Sequence, residues 1–474
     1  MKVLFVSVEA YPFMKVGGLG DVAHGLPKAL KGIGVDVRII MPKYKLTKKM
    51  KKKLKFVARF KTYIGWKTIE CSLWSVIEDG LQYYFIDNPF YFYRESAYGY
   101  GDDEERFIAF SKGVLESIKY IEDFTPDIIH CNEWHSSLII PLKKIYYEED
   151  NKYKSIKTVF TIHNIMYQGQ CHKDMLWMLG IDEEKYYKED ELKNNEGINM
   201  MKWAIKYADK VTTVSPSYAE EIKEENNGFG LSQYIKDKGG NFEGILNGID
   251  YGVFNPEEDS NLFRRYDINS IQLKRENKNE LQRELNLEVN CEIPLVSLVS
   301  RLTEQKGIGL LISNIDELMR RNIQLVIAGT GETIYEESLR ILSEKYKGRL
   351  AVILKFDTSI SSRIYGASDL FLIPSKFEPC GLTQMISMRY GTLPLVRETG
   401  GLKDTVKEFN NLTGIGNGFA FKNYSAIDMM EALDRALTIY KDKELWNLVQ
   451  KNAMLQDNSW NLSAKKYYEL YKKA

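Results

Sequence analysis

Two stretches of this chain, one opening at residue 3 and one at residue 294, repeat a single arrangement. A short apolar run passes into a polar, glycine-containing loop and then into apolar residues at helical spacing. Residues 3–8 are almost continuously apolar, as expected of a strand buried on both faces. Lys15-Val16-Gly17-Gly18-Leu19-Gly20-Asp21 follows, and Val22, Leu26, Ala29, Leu30 and Ile33 then recur at helical spacing until Gly34 stops the helix. Residues 35–41 read as the next strand. This succession of strand, helix and strand commits the start of the chain to a parallel sheet.

Residues 66–77 and 81–86 read as a hairpin around Asp79-Gly80. Further strands are expected at 127–130, 157–162, 210–214 and 244–246, each running into a polar or glycine-containing loop. The lysine-rich residues 43–55 read either as a solvated surface segment or as a site for an anionic partner. Beyond Asn255-Pro256 and a charged, helix-forming segment to about Glu292, residues 294–299 begin the rhythm again. It continues at 324–328, 351–354, 370–373 and 393–396, with no short-period repeat. The expected fold is α/β in two domains, with the break near residues 248–258. In open α/β sheets the loops at the carboxyl ends of the strands form the ligand crevice.

Composition narrows the partners. Sixty-five basic residues balance 65 acidic ones, so no overall field attracts nucleic acid or an anionic membrane. Any bound anion must be held by local donors. Apolar residues at 44% and charged residues at 27% are ordinary globular usage. Cys71, Cys131, Cys171, Cys291 and Cys380 lie far apart and form no paired motif, which suits a reducing compartment. The first residues reach Glu9 too soon for a signal sequence, and no apolar run approaches the roughly 18 residues of a membrane span. The reading is a soluble, cytoplasmic chain without membrane or nucleic-acid partners.

Four clusters carry chemistry. The glycine loop after the first strand lets backbone approach a ligand, its following N–H groups face an anion, and Lys15 adds a charge. A dinucleotide fingerprint fits poorly, because the spacing is not GxGxxG and the next strand runs into Pro42-Lys43 without a ribose-binding acid; a plain tight turn is the other reading. Arg301 and Lys306, in a loop after a strand, can converge on one diphosphate or be ordinary surface residues. Glu378 precedes Pro379, Cys380, Gly381, Leu382 and Thr383 at a strand-to-helix crossing, where it could meet sugar hydroxyls or favour a helix entry. His163 ends a strand, as a core or a site histidine. His130 to His135 holds metal-ligating residue types without zincin spacing, and Trp134 suits either sugar stacking or a core.

Taken together, Lys15 to Val22, His130 to His135, Thr161 to Asn164, Ile245 to Asp250, Ser300 to Gly307, Phe377 to Gln384, Tyr390 to Val396 and Thr399 to Leu402 resemble the motifs of bacterial glycogen synthases and plant starch synthases, in the family's order over nearly the whole chain. The resemblance implies a GT-B fold, two Rossmann-like domains facing each other across a deep cleft. Residues 1–250 would be the N-terminal, acceptor-side domain with the glycine loop. Residues 251–455 would be the nucleotide-sugar side, and residues 456–474 a C-terminal helix crossing back.

The implied reaction moves glucose from ADP-glucose, with UDP-glucose as the competing donor, to the non-reducing end of an α-1,4-glucan. Configuration is retained, and no metal or other cofactor is used. By the same resemblance Lys15 binds donor, Gly17 and Gly18 meet the diphosphate, and Asp21 is a further substrate-binding residue of that loop. Arg301 and Lys306 form the phosphate pair, and Glu378 and His163 lie by the glucose. Asn247 touches sugar, Cys380, Gly381 and Leu382 offer backbone donors, Thr383 is a further substrate-binding residue, and Glu133 with Trp134 contacts sugar or acceptor.

Four positions depart from the pattern. Val16 stands where threonine is usual, Glu133 where aspartate is usual, and Lys355-Phe356 where Gly-Tyr is common near the base. A glucan-binding homologue without catalysis, or a GT-B transferase with another acceptor, are the competing expectations.

Overall fold

The computed structural model describes residues 1–355 and 357–474; the Phe356 half of the Lys355-Phe356 pair lies outside the described residues. The chain divides into two compact units, Met1–Gly248 with Trp460–Ala474, and Ile249–Ser459.

The first unit contains β1 (Lys2–Val6), β2 (Asp36–Pro42), β3 (Lys55–Ile64), β4 (Lys67–Glu78), β5 (Leu81–Asp87), β6 (Ile128–Asn132), β7 (Lys157–Ile162), β8 (Gln170–His172), β9 (Lys193–Asn194), β10 (Gly197–Asn199), β11 (Lys210–Thr213) and β12 (Phe242–Gly244). Nine of these form one sheet in the order β12-β11-β7-β6-β1-β2-β5-β4-β3. It is parallel from β12 to β5, and the last two strands join antiparallel. β1 sits in its middle, with Val3, Leu4, Phe5 and Val6 fully buried, which is why that run reads as apolar on both faces.

The hairpin β4–β5 turns at Asp79-Gly80, both at positive φ. The edge strand β3 was not expected. Its exposed Lys61 and Tyr63 alternate with buried Phe60, Thr62 and Ile64, so its pattern merges with the lysines before it. Those lysines include a helix, Lys48–Lys53, with no buried residue; the solvated reading of this stretch therefore holds for its middle. β12 ends at Gly244, earlier than the expected 244–246, although Ile245 N–H still donates to the Thr213 carbonyl at 2.8 Å. The small sheet β8-β10-β9 was also not expected, its strands being too short to show a period.

The final helix, Trp460–Lys472, packs on the helix Gly18–Gly32 within this unit. The contact needs a glycine: a Cβ on Gly25 would lie 2.1 Å from the indole nitrogen of the buried Trp460. Farther along, the Tyr471 hydroxyl bonds His130 Nδ1 at 2.7 Å, and His130 Nε2 meets the Thr161 hydroxyl at 2.6 Å, which meets Thr212 at 2.6 Å. Burial pulls the His130 imidazole down to about 3, so this chain of polar groups is uncharged.

The second unit contains β13 (Leu295–Val299), β14 (Gln324–Ala328), β15 (Leu350–Ile353), β16 (Leu370–Ile373), β17 (Leu393–Arg397) and β18 (Phe419–Phe421), in the order β15-β14-β13-β16-β17-β18, parallel throughout. That is the doubly wound order of a dinucleotide-binding sheet, which reverses direction between β13 and β16. β18 is only three residues long and gives no period in the sequence. The helix Lys274–Glu284 is tied down by buried Lys278, whose ammonium donates to Asp369 at 2.6 Å and to the Cys291 carbonyl at 2.8 Å. Among the described residues no helix is long and apolar enough to cross a membrane.

The Gly25 contact yields a test. Gly25→Ala drives a methyl into a buried indole, and overpacking of this kind costs about 1–3 kcal/mol. The urea midpoint of the first unit is expected to fall, and proteolysis to release the C-terminal helix sooner. An unchanged midpoint would show that Trp460 moves aside freely.

Candidate active site

In the second unit the two loops at the reversal of strand order are built into one piece. The β13 loop runs from Ser300 to Gly307 and the β16 loop from Pro374 to Leu382. Gly307 stands at φ +74°, and a Cβ there would lie 2.1 Å from the Pro374 carbonyl oxygen, so only glycine lets the loops meet. Lys376 N–H donates to the Gln305 carbonyl at 2.8 Å.

Between them, Lys306 Nζ is paired with Glu378 Oε2, and the Ser375 hydroxyl donates to the same oxygen at 3.1 Å. The sequence reading assigned Lys306 to phosphate and Glu378 to the glucose, and did not foresee a contact between them. The structure pairs the two, because neither charge is well solvated and each neutralises the other. Arg301 is exposed at the start of the same loop.

The glutamate loop is itself seated on glycines. A Cβ at Gly400 would lie 2.0 Å from the Glu378 carbonyl oxygen, and one at Gly401 would lie 2.1 Å from that of Cys380. Gly381 takes φ +72°. Cys380 is buried, and Leu382 immediately precedes the helix Thr383–Arg389.

In the first unit, strand order reverses between β1 and β6. The glycine loop follows β1 and leads into the 15-residue helix Gly18–Gly32, whose N-cap Gly17 supplies no side-chain cap. Lys15 Nζ pairs with Asp21 Oδ1 at 2.7 Å. Burial raises the Asp21 carboxyl while Lys15 opposes the shift. The loop is shaped by Glu9, which is 1% exposed. Its Oε2 accepts the Val16 N–H at 2.5 Å and the Gly17 N–H at 2.8 Å, and its Oε1 accepts the Tyr98 hydroxyl at 2.8 Å. The Gly17 amide, expected to meet a diphosphate, is thus already donated to Glu9.

A second buried carboxylate shapes the loops after β6 and β7. Glu133 stands at φ +64°, and its Oε1 accepts the N–H of His163 at 2.6 Å and of Asn164 at 2.8 Å. Burial pushes this carboxyl up to about 8, against those amide bonds. Glu133 was expected to touch substrate; here it holds the turn that carries His163. His163 Nε2 lies 3.0 Å from Asn132 Oδ1, and burial keeps the imidazole neutral, with a value of about 3. Trp134, expected at a sugar, stacks on His135 at 4.3 Å and meets Phe107 edge-on at 5.2 Å, with Gly169 at φ +64° leaving room for the ring. Asn247 is buried, and its Oδ1 has no hydrogen-bond partner among the described residues.

Sequence reading missed Glu9, Asn132 and Ser375. Asn132 ends β6, and Glu9 and Ser375 lie three and two residues past the ends of β1 and β16. A lone acid between an apolar run and a glycine loop was the available sign for Glu9. Among the described residues no group of three or more His, Cys, Asp or Glu side chains could hold a metal.

Comparison with known proteins gives the family. Residues 2–237 match the family described as the starch synthase catalytic domain, and residues 284–453 match glycosyl transferases group 1. The glycogen synthase of Clostridium novyi (strain NT) is 47% identical over 473 residues, 99% of this chain and 98% of that protein. That of Clostridioides difficile (strain 630) is 47% identical over 477 residues, 100% and 99% of the two chains. Among solved structures, the catalytic domain of starch synthase IV from Arabidopsis thaliana, bound to ADP and acarbose, matches with TM-score 0.93 and 36% identity over 99% of this chain and 98% of that one. Sucrose-phosphate synthase from Thermosynechococcus elongatus, at 19% identity and TM-score 0.61, shares the fold alone. With both α/β units, their glycine-seated loops and the full length of the chain accounted for, the protein is a GT-B hexosyltransferase and belongs to the glycogen and starch synthase family.

Proposed function

We propose that this chain transfers glucose from ADP-glucose to the non-reducing end of an α-1,4-glucan, with retention of configuration, in the cytoplasm. The observation that carries this reading is the pairing of Lys306 with Glu378 at the reversal of strand order, beside the exposed Arg301. Family membership gives the reaction class, and the binding of ADP and acarbose by the Arabidopsis relative supports a nucleotide donor. UDP-glucose is the weaker donor in this reading.

Breaking the C1–O bond leaves an oxocarbenium-like sugar and a growing negative charge on the diphosphate. Fixed cations and amides that face the charge stabilise it without reorganising. In the second unit Arg301 and Lys306 take the diphosphate, and Lys306 turns from Glu378 toward phosphate as it arrives. Glu378, released, orients glucose and stabilises the charge at C1, with the backbone at Cys380, Gly381, Leu382 and Thr383 as further donors. In the first unit Lys15 and the amides from Gly18 onward form an anion-facing loop that binds donor. Gly17 acts through its bond to Glu9, and Asp21 holds Lys15 in place. His163, neutral and oriented by Asn132, and Asn247, with its unpartnered oxygen, bind sugar hydroxyls. Glu133 and Trp134 position the His163 turn. Retention proceeds by front-side attack, in which the departing phosphate oxygen takes the proton of the acceptor hydroxyl; a glucosyl ester trapped on Glu378 would refute this.

The direct test is transfer of labelled glucose to glycogen from ADP-glucose and from UDP-glucose, in excess EDTA. Incorporation from ADP-glucose that survives the chelator is expected. Glycogen binding with no incorporation from either donor would favour a binding protein, and loss restored by Mg²⁺ would contradict the metal-free site.

Two substitutions refine the roles. Arg301→Ala is expected to lower kcat about 10²–10³-fold, the loss usual for one charge-stabilising donor. Arg301 is exposed, so the urea midpoint should not move; normal turnover would remove it from the site. Glu9→Gln replaces an accepting oxygen by an NH₂ group beneath the glycine loop. We expect kcat/KM for the nucleotide sugar to fall about tenfold, equivalent to about 1.4 kcal/mol, with KM for glycogen unchanged. Unaltered donor kinetics would show that the loop keeps its shape without the carboxylate.

A further inference from the structure

The end of β6 lies beside β7, with Asn132 opposite Thr161 in the parallel register. His163 comes two residues after Thr161, and its ring reaches back to the Asn132 side chain. Asn132 is 1% exposed, and its amide can sit in only one sense. Nδ2 donates to the Val6 carbonyl at 3.1 Å and to the His130 carbonyl at 3.3 Å. Turned over, the amide would set its oxygen against two carbonyl oxygens and lose both bonds. Oδ1 therefore faces His163 Nε2, at 3.0 Å.

An amide oxygen only accepts, so the bond requires a proton on Nε2. Burial keeps the ring neutral, and a neutral imidazole carries one N–H. Nδ1 is then the nitrogen with the lone pair. Among the described residues the bond at Nε2 is the ring's one hydrogen bond. Two titratable groups adjoin His163. The Glu133 carboxyl, which takes the His163 backbone N–H, is pushed up to about 8 by burial, and the His130 imidazole is pulled down to about 3 by burial. On the acid side of neutrality neither brings a negative charge that would favour a second proton on the ring.

We propose that Asn132 is a positioning residue that fixes His163 as the Nε2–H tautomer, so that Nδ1 accepts the proton of a sugar hydroxyl. The inference rests on the reading of His163 as a sugar contact in a glucosyl transferase. An unconstrained histidine divides between two tautomers, and once charged it has donors alone. Asn132 removes the first freedom and burial removes the second. The site then holds a hydroxyl by its proton, over the whole pH range in which the ring stays neutral.

The test reads the tautomer and its consequence separately. In the wild-type chain with isotopically labelled histidine, long-range proton–nitrogen correlation shows which ring nitrogen lacks a proton, and His163→Gln identifies the signal. The unprotonated nitrogen is expected at Nδ1; finding it at Nε2 would overturn the proposal. Asn132→Asp sets a carboxylate against Nε2, which favours the imidazolium and removes the acceptor at Nδ1. Its kcat/KM for ADP-glucose, as a ratio to wild type, is expected to fall about tenfold per pH unit on the acid side of the new titration and to recover as pH rises. Asn132→Ala frees the ring without adding charge. Its ratio should be about fivefold below one, the loss of one hydrogen bond, and flat with pH. A pH-independent ratio in folded Asn132→Asp, or unaltered kinetics in Asn132→Ala, would overturn the proposal. If the wild type transfers no glucose, the reading of the reaction fails, while the spectrum alone still decides the tautomer.

Discussion

A parallel sheet delivers every strand to the same edge, and where strand order reverses, two neighbouring loops diverge and leave room for a ligand. Both units of this chain are organised by that constraint. In the second unit it falls between β13 and β16, and in the first between β1 and β6. The residues with chemistry to offer are the ones that follow these strands: Arg301, Lys306 and Glu378 in one unit, Lys15, Glu9, Glu133 and, one strand over, His163 in the other.

Within each unit a carboxylate is used to hold something else. Glu378 holds Lys306, Glu9 holds the glycine loop, and Glu133 holds the turn before Asn164. Such buried acids are expensive unless their lone pairs are occupied, and here each is occupied by backbone N–H groups, a hydroxyl or an ammonium. The consequence is that the glycine loop and the His163 turn are shaped before any ligand arrives, while Lys306 is held on Glu378.

Much of this was legible in the sequence, for physical reasons that differ by region. The buried strands β1, β13 and β16 announce themselves because both faces are apolar, whereas the need for glycine at 307, 400 and 401, where backbone passes within a methyl's reach of backbone, is seen only in the structure. The glucan synthase resemblance then supplied roles for residues that spacing alone left ambiguous. What was hidden is local satisfaction. Nothing in the order of residues says that the Gly17 amide is spent on Glu9, that Lys306 rests on Glu378, or that Glu133 reaches backbone at 163 and 164, because partners in these bonds are brought together by tertiary packing. The edge strand β3 was hidden for another reason: one face is wet and lysine-rich, so its period of two is blurred.

The central claim is that the cations Arg301 and Lys306, beside the reversal of strand order, receive the departing diphosphate. A crystal structure of the protein with ADP tests it most directly. The account predicts phosphate oxygens within hydrogen-bonding distance of Lys306 Nζ and the Arg301 guanidinium, with the Lys306 contact to Glu378 lengthened. Ordered diphosphate held by other residues, with Lys306 still closed on Glu378, would contradict it.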